Sequence, residues 1–206
     1  MSAVVRPKPM RAFDPWIGRH YETEGLGGTK LLVLGESQYP GTEYVHHYPS
    51  GAPTPSCRSS TQEIVRDLAI ENRNRFFTKV AKLVLGLPAG QWLPSDARAD
   101  FWERVAFYNY VQWWLGGARF RPSQQLWAAA QIPFLEVLSE LRPQVLLVLG
   151  NELANWLPTI PAAIAVVKIP HPSSKGFSYD PWAASIRLAL AGPNKAVQPT
   201  CENVRG

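Results

Sequence analysis

Runs of continuous apolar residues alternate along the chain with stretches of helical periodicity. The apolar runs have the length of buried strands. They cover residues 30–35, 105–110, 144–150 and 163–169. Apolar residues at helical spacing follow from residue 61, after Ser95, and over 123–141, 151–157 and 180–190. This alternation predicts an α/β protein, a three-layer α/β/α sandwich around a central four-stranded parallel sheet.

Residues with strong local preferences set the predicted helix boundaries. Ser95, Ser123 and Asn151 each precede or open a helical stretch and are predicted N-caps. Pro181 suits the first turn of the last helix. The irregular lead-in over residues 1–29 is predicted to be pinned to the body of the protein by Trp16 and Tyr21.

The length of 206 residues fits one domain. We expect that domain to span residues 1–192, because the segment 193–206 has no periodic pattern and is predicted to be a flexible tail. Residues 38–60 form a long polar loop with four prolines. A loop of that length in a compact domain is typically functional or mobile.

Composition indicates a globular protein, with 46% hydrophobic and 18% charged residues. The formal net charge of +5 favours a polyanionic partner only modestly. Cys57 and Cys201 are too few for a zinc site or an iron–sulfur cluster, so no metal or cofactor is expected. No apolar stretch has the length of a signal peptide core or a membrane span, which favours a cytoplasmic protein with no membrane partner. A monomer is the expectation for its oligomeric state.

Polar side chains cluster where the predicted strands end. The first strand runs into GESQYPG at 35–41, the second ends near Asn109, the third at Gly150-Asn151-Glu152, and the fourth runs into HPSS at 171–174. Open α/β sheets bind ligands at the carboxyl ends of their strands. The sequence therefore predicts a site for a small polar group at this edge.

Each of these clusters also has a purely structural interpretation. Glu36 is a lone loop carboxylate that would ordinarily be solvated or would cap a helix. Asn109 sits among aromatic residues and is either a satisfied core amide or a carboxamide that reads the edge of a heterocycle. His171 lies between Pro170 and Pro172, which restrict its backbone and favour a fixed ring direction.

Weaker candidates lie outside the strand ends. His46 and His47 form a doublet without a matching ligand cluster. Several basic residues, which would line an anionic groove or simply face solvent, are Arg119, Arg121, Lys175 and Arg187.

The order of these motifs resembles the uracil-DNA glycosylase superfamily. A strand with GESQYPG, a strand with Asn109, the block RPS…FLEVLSELRPQVLLVLG, and a strand with HPSS follow one another over most of residues 28–190. The block 105–150 is similar to prokaryotic members in particular. The resemblance implies a four-stranded parallel sheet between helices and a pocket that holds a base flipped out of DNA.

The resemblance also implies roles for individual residues. Asn109 would read the pyrimidine edge, and His171 would donate a hydrogen bond to the base oxygen as negative charge builds on the leaving uracil. Tyr39 would exclude the methyl group of thymine. DNA would be bound by the backbone of Ser173 and Ser174, by Lys175, and by Phe177 as the apolar wedge that fills the vacated stack. Tyr48 or His47 would stack on the flipped base.

The first motif departs from the best-known branch, whose GQDPYH contains a water-positioning Asp. Ser37 stands in place of that Asp, and Gln38 in place of the Pro. Another branch has GEAPG, in which the Glu fills the catalytic role, and Glu36 matches it. The cluster-binding cysteines of that branch are missing. Glu36 is therefore the predicted water-positioning carboxylate.

Three functions are compatible with the sequence. The first is a DNA glycosylase that removes uracil or a related deaminated base from single- or double-stranded DNA. The second is a non-catalytic protein that binds a nucleobase or nucleic acid on the same fold, which the loss of the usual Asp would suit. The third is hydrolysis of a free nucleoside or nucleotide.

Overall fold

The computed structural model describes residues 11–39, 51–54, 57–117 and 119–192. The predicted tail and most of the long loop, with His46, His47 and Tyr48, lie outside the described residues. The strands are β1 (Trp16–Ile17), β2 (Leu31–Gly35), β3 (Ala106–Asn109), β4 (Val145–Leu149) and β5 (Ala165–Ile169). The helices are α1 (Ser60–Val65), α2 (Arg75–Val84), α3 (Ser95–Arg104), α4 (Gln124–Ala129), α5 (Gln131–Leu141), α6 (Asn151–Trp156) and α7 (Asp180–Ala191). A π-helical segment, Arg66–Glu71, continues α1.

The described sheet is mixed, with five strands in the order β1-β3-β2-β4-β5. The predicted α/β class is confirmed, but a sheet of only four parallel strands is not what the chain forms. The four longer strands are parallel, and β1 adds two antiparallel residues at the edge of β3. This edge strand is too short to carry a period-two pattern, which is why the sequence did not reveal it.

Helices cover both faces of the sheet because successive strand residues point to opposite sides. Leu31 and Val33 face a core formed with α1, α2, α3 and α7. Leu32 and Leu34 face a second core formed with α4, α5 and α6. Both faces of β2 are thus buried, as its continuous apolar run predicts.

The described part of the lead-in, residues 11–29, is pinned as predicted. Trp16 is buried and its Nε1 donates to the carbonyl of Trp102 at 2.8 Å, while the hydroxyl of buried Tyr21 donates to the carbonyl of Leu141 at 3.2 Å. Each ring therefore adds a hydrogen bond to the area it buries.

The predicted helix over 123–141 is two helices, because Pro133 has no N–H to donate to the carbonyl of Ala129. The chain turns at Ala130, which ends α4 and precedes α5. Ser123 caps α4 as predicted, its Oγ accepting from the N–H of Leu126 at 3.4 Å.

Two other predicted caps are wrong. Asn151 is the first residue of α6 rather than its N-cap, which is Gly150, and no side-chain cap bond forms there. Ser95 is the first residue of α3, with Pro94 as the N-cap. Pro181 lies in the first turn of α7 as predicted.

Candidate active site

The strand register brings the predicted site residues to one edge of the sheet. Gly35 at the end of β2 is paired with Asn109 at the end of β3, and Leu149 at the end of β4 with Ile169 at the end of β5. Parallel strands end on the same side, and neighbours lie about 4.7–4.9 Å apart. Asn109, Glu36 and His171 therefore lie along this edge in that spatial order, with Gly150 between the last two.

The ends of β2 and β3 approach each other closely at Gly35. A Cβ atom on Gly35 would lie 2.5 Å from Oδ1 of Asn109 and 3.0 Å from Cζ of Phe107. Only glycine leaves room for the Asn109 side chain beside the strand. The backbone continues this contact past the strands, with the N–H of Val111 donating to the carbonyl of Glu36 at 2.9 Å.

The Glu36 carboxylate is largely buried, with 15% of its side chain exposed. Burial raises its pKa, the nearby Glu152 carboxylate adds to that effect, and the Arg121 guanidinium opposes it. Arg121 Nη1 lies 3.7 Å from Oε2 of Glu36 and 3.0 Å from Oε2 of Glu152. The carboxylate thus sits in a desolvated position beside an exposed cation, because the side chain of Arg121 is 69% exposed.

Arg121 and Glu152 belong to the site, although the sequence favoured neither. Arg121 was one of several basic residues with no particular partner, and Glu152 lay beside a presumed capping residue. The start of α6 directly after β4 places Glu152 at the same edge as Glu36.

Asn109 is buried, and its amide is bonded to a second carboxamide. Its Nδ2 donates to Oε1 of Gln38 at 3.2 Å, and the same oxygen accepts from the hydroxyl of Thr61 at 3.1 Å. Gln112 Nε2 donates to the backbone carbonyl of Asn109 at 2.7 Å. This network fixes both the backbone and the side chain of Asn109. Sequence reasoning treated Gln38 only as the replacement for a proline and missed this contact.

The His171 ring is held in one orientation and one tautomer. It stacks on Phe76, with ring centroids 5.3 Å apart and an interplanar angle of 22°. Its Nδ1 accepts from the backbone N–H of Ser173 at 3.2 Å, so the proton of the neutral ring is on Nε2. Burial lowers the pKa of His171, and the Arg121 and Lys79 cations lower it further. The ring is therefore a neutral Nε2–H donor around pH 7.

The segment after His171 forms one wall of a basic cavity of about 540 Å³. Ser173, Ser174, Lys175, Gly176 and Phe177 line it, opposite Arg75 and Lys79 of α2. Lys79 Nζ donates to the carbonyl of Pro172 at 2.7 Å and so ties this loop to α2.

Arg75 and Lys79 were not predicted. Their spacing of four residues places both on one face of a helix, which is a detectable signal, but nothing in the sequence relates that face to the loop over 171–177.

The structure describes two further predicted residues, Phe177 and Tyr39, and gives neither a hydrogen bond to Glu36, Asn109 or His171. Phe177 is half-buried and packs edge-to-face against Tyr179, with centroids 5.7 Å apart, so its role as a wedge stays a prediction. Tyr39 has 46% of its surface exposed at the end of the described part of the loop. Among the described residues, no three His, Cys, Asp or Glu side chains converge as a metal site would need, and no helix has the length and apolarity to span a membrane.

No model of a known protein family matches this chain, and no curated protein matches it either.

Proposed function

We propose that this protein is a DNA glycosylase that hydrolyses the N-glycosidic bond of uracil, or of a related deaminated base, in DNA. The observation that carries the proposal is the position of Glu36, Asn109 and His171 along one edge of the sheet, with the proton of the neutral His171 ring on Nε2. A carboxylate, a carboxamide and a neutral imidazole donor are the groups that this hydrolysis needs. We also propose that the α/β fold is that of the uracil-DNA glycosylase superfamily.

The reaction assigns one task to each group. The Glu36 carboxylate orients a water molecule towards C1′ of the sugar, and the water oxygen bonds to C1′ as the bond from C1′ to N1 of the base breaks. The electron pair of that bond leaves with the base, so negative charge develops on its O2 oxygen. The His171 Nε2–H donates to that oxygen. The two protons of the water end on the sugar hydroxyl and on the released base, leaving an abasic site.

The neutral state of His171 suits this role. A neutral donor stabilises charge as it develops without first forming an ion pair, and pre-organised donors of this type contribute about 2.7–4 kcal/mol each in other enzymes. The Ser173 N–H on Nδ1 keeps the ring in the donating tautomer.

The basic cavity supports DNA as the substrate rather than a free nucleoside. Arg75, Lys79 and Lys175 surround the exposed Ser173 and Ser174. The backbone N–H groups of Ser173 and Ser174 already donate to His171, to its Nδ1 at 3.2 Å and its carbonyl at 2.8 Å, so the two hydroxyls and the cations are the groups offered to a phosphate. Cations next to serine hydroxyls are typical phosphate contacts. A free nucleoside has no phosphate to place there.

The proposal is tested by excision from oligonucleotides that carry uracil, hypoxanthine or xanthine, single- and double-stranded, with alkaline cleavage at the abasic site. We expect scission at uracil, and we expect His171→Ala to slow it about 10²–10³-fold. No scission with any of the three bases would refute the proposal.

A non-catalytic nucleobase-binding protein is the second candidate. Ser37 stands where the GQDPYH branch of the superfamily has its water-positioning Asp. The carboxylate that is left, Glu36, lies 3.7 Å from the Arg121 guanidinium. Affinity for uracil-containing DNA without release of the base would favour this candidate.

A further inference from the structure

Trp92 is a solvent-facing tryptophan whose ring is held in place. Of the tryptophans that the structure describes, it alone is exposed, with 67% of its surface accessible. The guanidinium of Arg73 lies over the ring, 3.5 Å from its centre. Arg73 Nη2 also donates to the backbone carbonyl of Leu93, the buried residue that follows Trp92. One face of the indole is therefore covered by a fixed cation, and the accessible surface includes the opposite face.

An exposed indole adds little to the stability of the fold, because the free energy gained from an aromatic ring comes from the area it buries. The same ring is well suited to bind a flat partner. Arg73 restricts its motion in advance, so that less conformational entropy is lost when a second ring stacks on the open face.

The start of α2 connects Trp92 to the candidate active site. Arg73 stacks on Trp92, and Arg75, two residues later, lines the basic cavity. The Cα atoms of these two arginines lie at most about 7.6 Å apart, because each residue extends the chain by no more than about 3.8 Å. Phe76 follows Arg75 and stacks on the His171 ring. Trp92, the cavity and the site thus follow one another along a single segment of chain.

The cations of this segment have no counter-ions. Within the described part of the chain, no salt bridge joins Arg73, Arg75 or Lys79 to a carboxylate, that of the neighbouring Glu71 included. Burial lowers the pKa of the Lys79 ammonium, and the Arg75 guanidinium lowers it further. A polyanion would relieve this repulsion. An apolar protein surface would instead cover the cations without neutralising them, which is unfavourable.

We propose that Trp92 and Arg73 form a stacking surface for an unpaired base of single-stranded DNA, whose neighbouring phosphates lie along Arg75 towards the basic cavity. The inference rests on the proposed function, because it takes DNA as the ligand of that cavity. An aromatic side chain stacks on any base, since every base has a flat π face. In a duplex the bases already stack on their neighbours, so Trp92 gains no contact there. Single-stranded DNA is therefore the substrate class that this surface favours.

Binding tests the stacking surface without requiring excision. The probe is a single-stranded oligonucleotide with one central 2′-deoxypseudouridine, a uracil joined to the sugar by a carbon–carbon bond that is not hydrolysed. We expect Trp92→Ala to weaken its affinity about fivefold to a hundredfold, the range for loss of one stacked base, and to leave the affinity for the duplex form unchanged. Leu188→Ala is the control: it removes another exposed apolar side chain, 77% accessible on α7, and should change neither affinity.

Two further substitutions at residue 92 separate stacking from general apolar contact. Trp92→Phe keeps a flat ring, so its single-strand affinity should stay close to that of the wild type. Trp92→Leu keeps an apolar side chain without a ring and should bind as weakly as Trp92→Ala. Circular dichroism checks that the variants fold, as expected for an exposed position. Equal single-strand affinities of Trp92→Leu and Trp92→Phe would overturn the inference, as would an equal loss of single-strand and duplex affinity in Trp92→Ala.

Removal of individual bases from the probe locates the stacked base. One nucleotide at a time, on either side of the centre, is replaced by an abasic analogue. We expect one replacement to weaken binding by the wild type and to have no further effect on Trp92→Ala. If every replacement affected the two proteins alike, Trp92 would contact no base, and the inference would be overturned.

The inference and the proposed function fail in distinguishable ways. Excision of uracil by the wild type, combined with unchanged single-strand binding in Trp92→Ala, would overturn the inference and leave the proposed function standing. Single-strand binding that depends on Trp92, without excision of uracil, would refute the proposed catalysis and support the stacking surface.

Discussion

At the scale of single residues, the proposed activity depends on the charge states of Glu36 and His171. Activity as proposed needs Glu36 ionised and His171 neutral. Arg121 favours both states, because a cation stabilises the carboxylate and opposes protonation of the imidazole. The negative charge of Glu152 has the opposite effect on Glu36, because it raises the pKa of that carboxyl. Glu152 also forms an ion pair with Arg121 at 3.0 Å.

Arg121 and Glu152 should therefore shift the pH dependence of excision in opposite directions. The rate falls as pH drops through the pKa of Glu36. Arg121→Gln removes the stabilising cation, raises that pKa further, and moves the acidic limb to higher pH. Glu152→Gln removes the repelling anion, lowers that pKa, and moves the limb to lower pH. Single-turnover rates measured across pH check both shifts.

The two variants also serve as controls for each other. Both remove one charge from the same partly exposed ion pair, so a general effect of lost pairing would move both profiles in the same direction. Shifts of the same sign, or no shift in either variant, would contradict the position assigned to Glu36.

At the scale of elements, the close approach of the β2 and β3 ends is a structural requirement of the site. We expect Gly35→Ala to push Asn109 away from Gln38, because the new Cβ would lie 2.5 Å from Oδ1 of Asn109. Overpacking of this kind destabilises by about 1–3 kcal/mol, which chemical denaturation would measure. Excision of uracil should fall as well.

Gly90 provides the matched control for this substitution. It lies outside the strands, and a Cβ there would meet nothing within 4 Å. Gly90→Ala should leave both stability and excision unchanged. If Gly35→Ala behaved in the same way as Gly90→Ala, the close contact between the strand ends would not matter to the site.

The sequence predicted the elements whose signal is local and continuous. The four longer strands appear as apolar runs, and the general position of Glu36, Asn109 and His171 follows from the rule that parallel strands end at one edge. The break at Ala130 was missed because the apolar periodicity continues across it. Pro133 lies in the interior of the predicted helix, where a proline breaks or kinks a helix, and it was the one local signal of the break.

Contacts between distant segments were beyond what the sequence reveals. Gln38 and Asn109 are 71 residues apart, and Lys79 and Pro172 are 93 apart. Neither pair has a local pattern, since each depends on how a loop packs against an element elsewhere in the fold. The same applies to Arg121, whose partners Glu36 and Glu152 come from the loop after β2 and from α6.

At the scale of the whole molecule, the sheet edge at the carboxyl ends of the parallel strands combines two regions with different chemistry. The centre holds Glu36 and Asn109, both largely buried beside the apolar cores. Towards β5 the polar residues become exposed and basic, in the cavity between α2 and the loop over 171–177. In the proposed complex, the base enters the buried region and the flanking phosphate lies in the basic one.

The central claim is that Glu36 drives hydrolysis at a site that also recognises the base, and Glu36→Gln tests it most directly. Uracil release is measured under single-turnover conditions. Binding affinity is measured separately, with an oligonucleotide that carries 2′-deoxypseudouridine, whose carbon–carbon bond between base and sugar is not hydrolysed. We expect the rate to fall about 10²–10⁴-fold, as for loss of a general base, with the affinity retained. Release of uracil by Glu36→Gln at the wild-type rate, or binding without release by the wild-type protein, would contradict the claim.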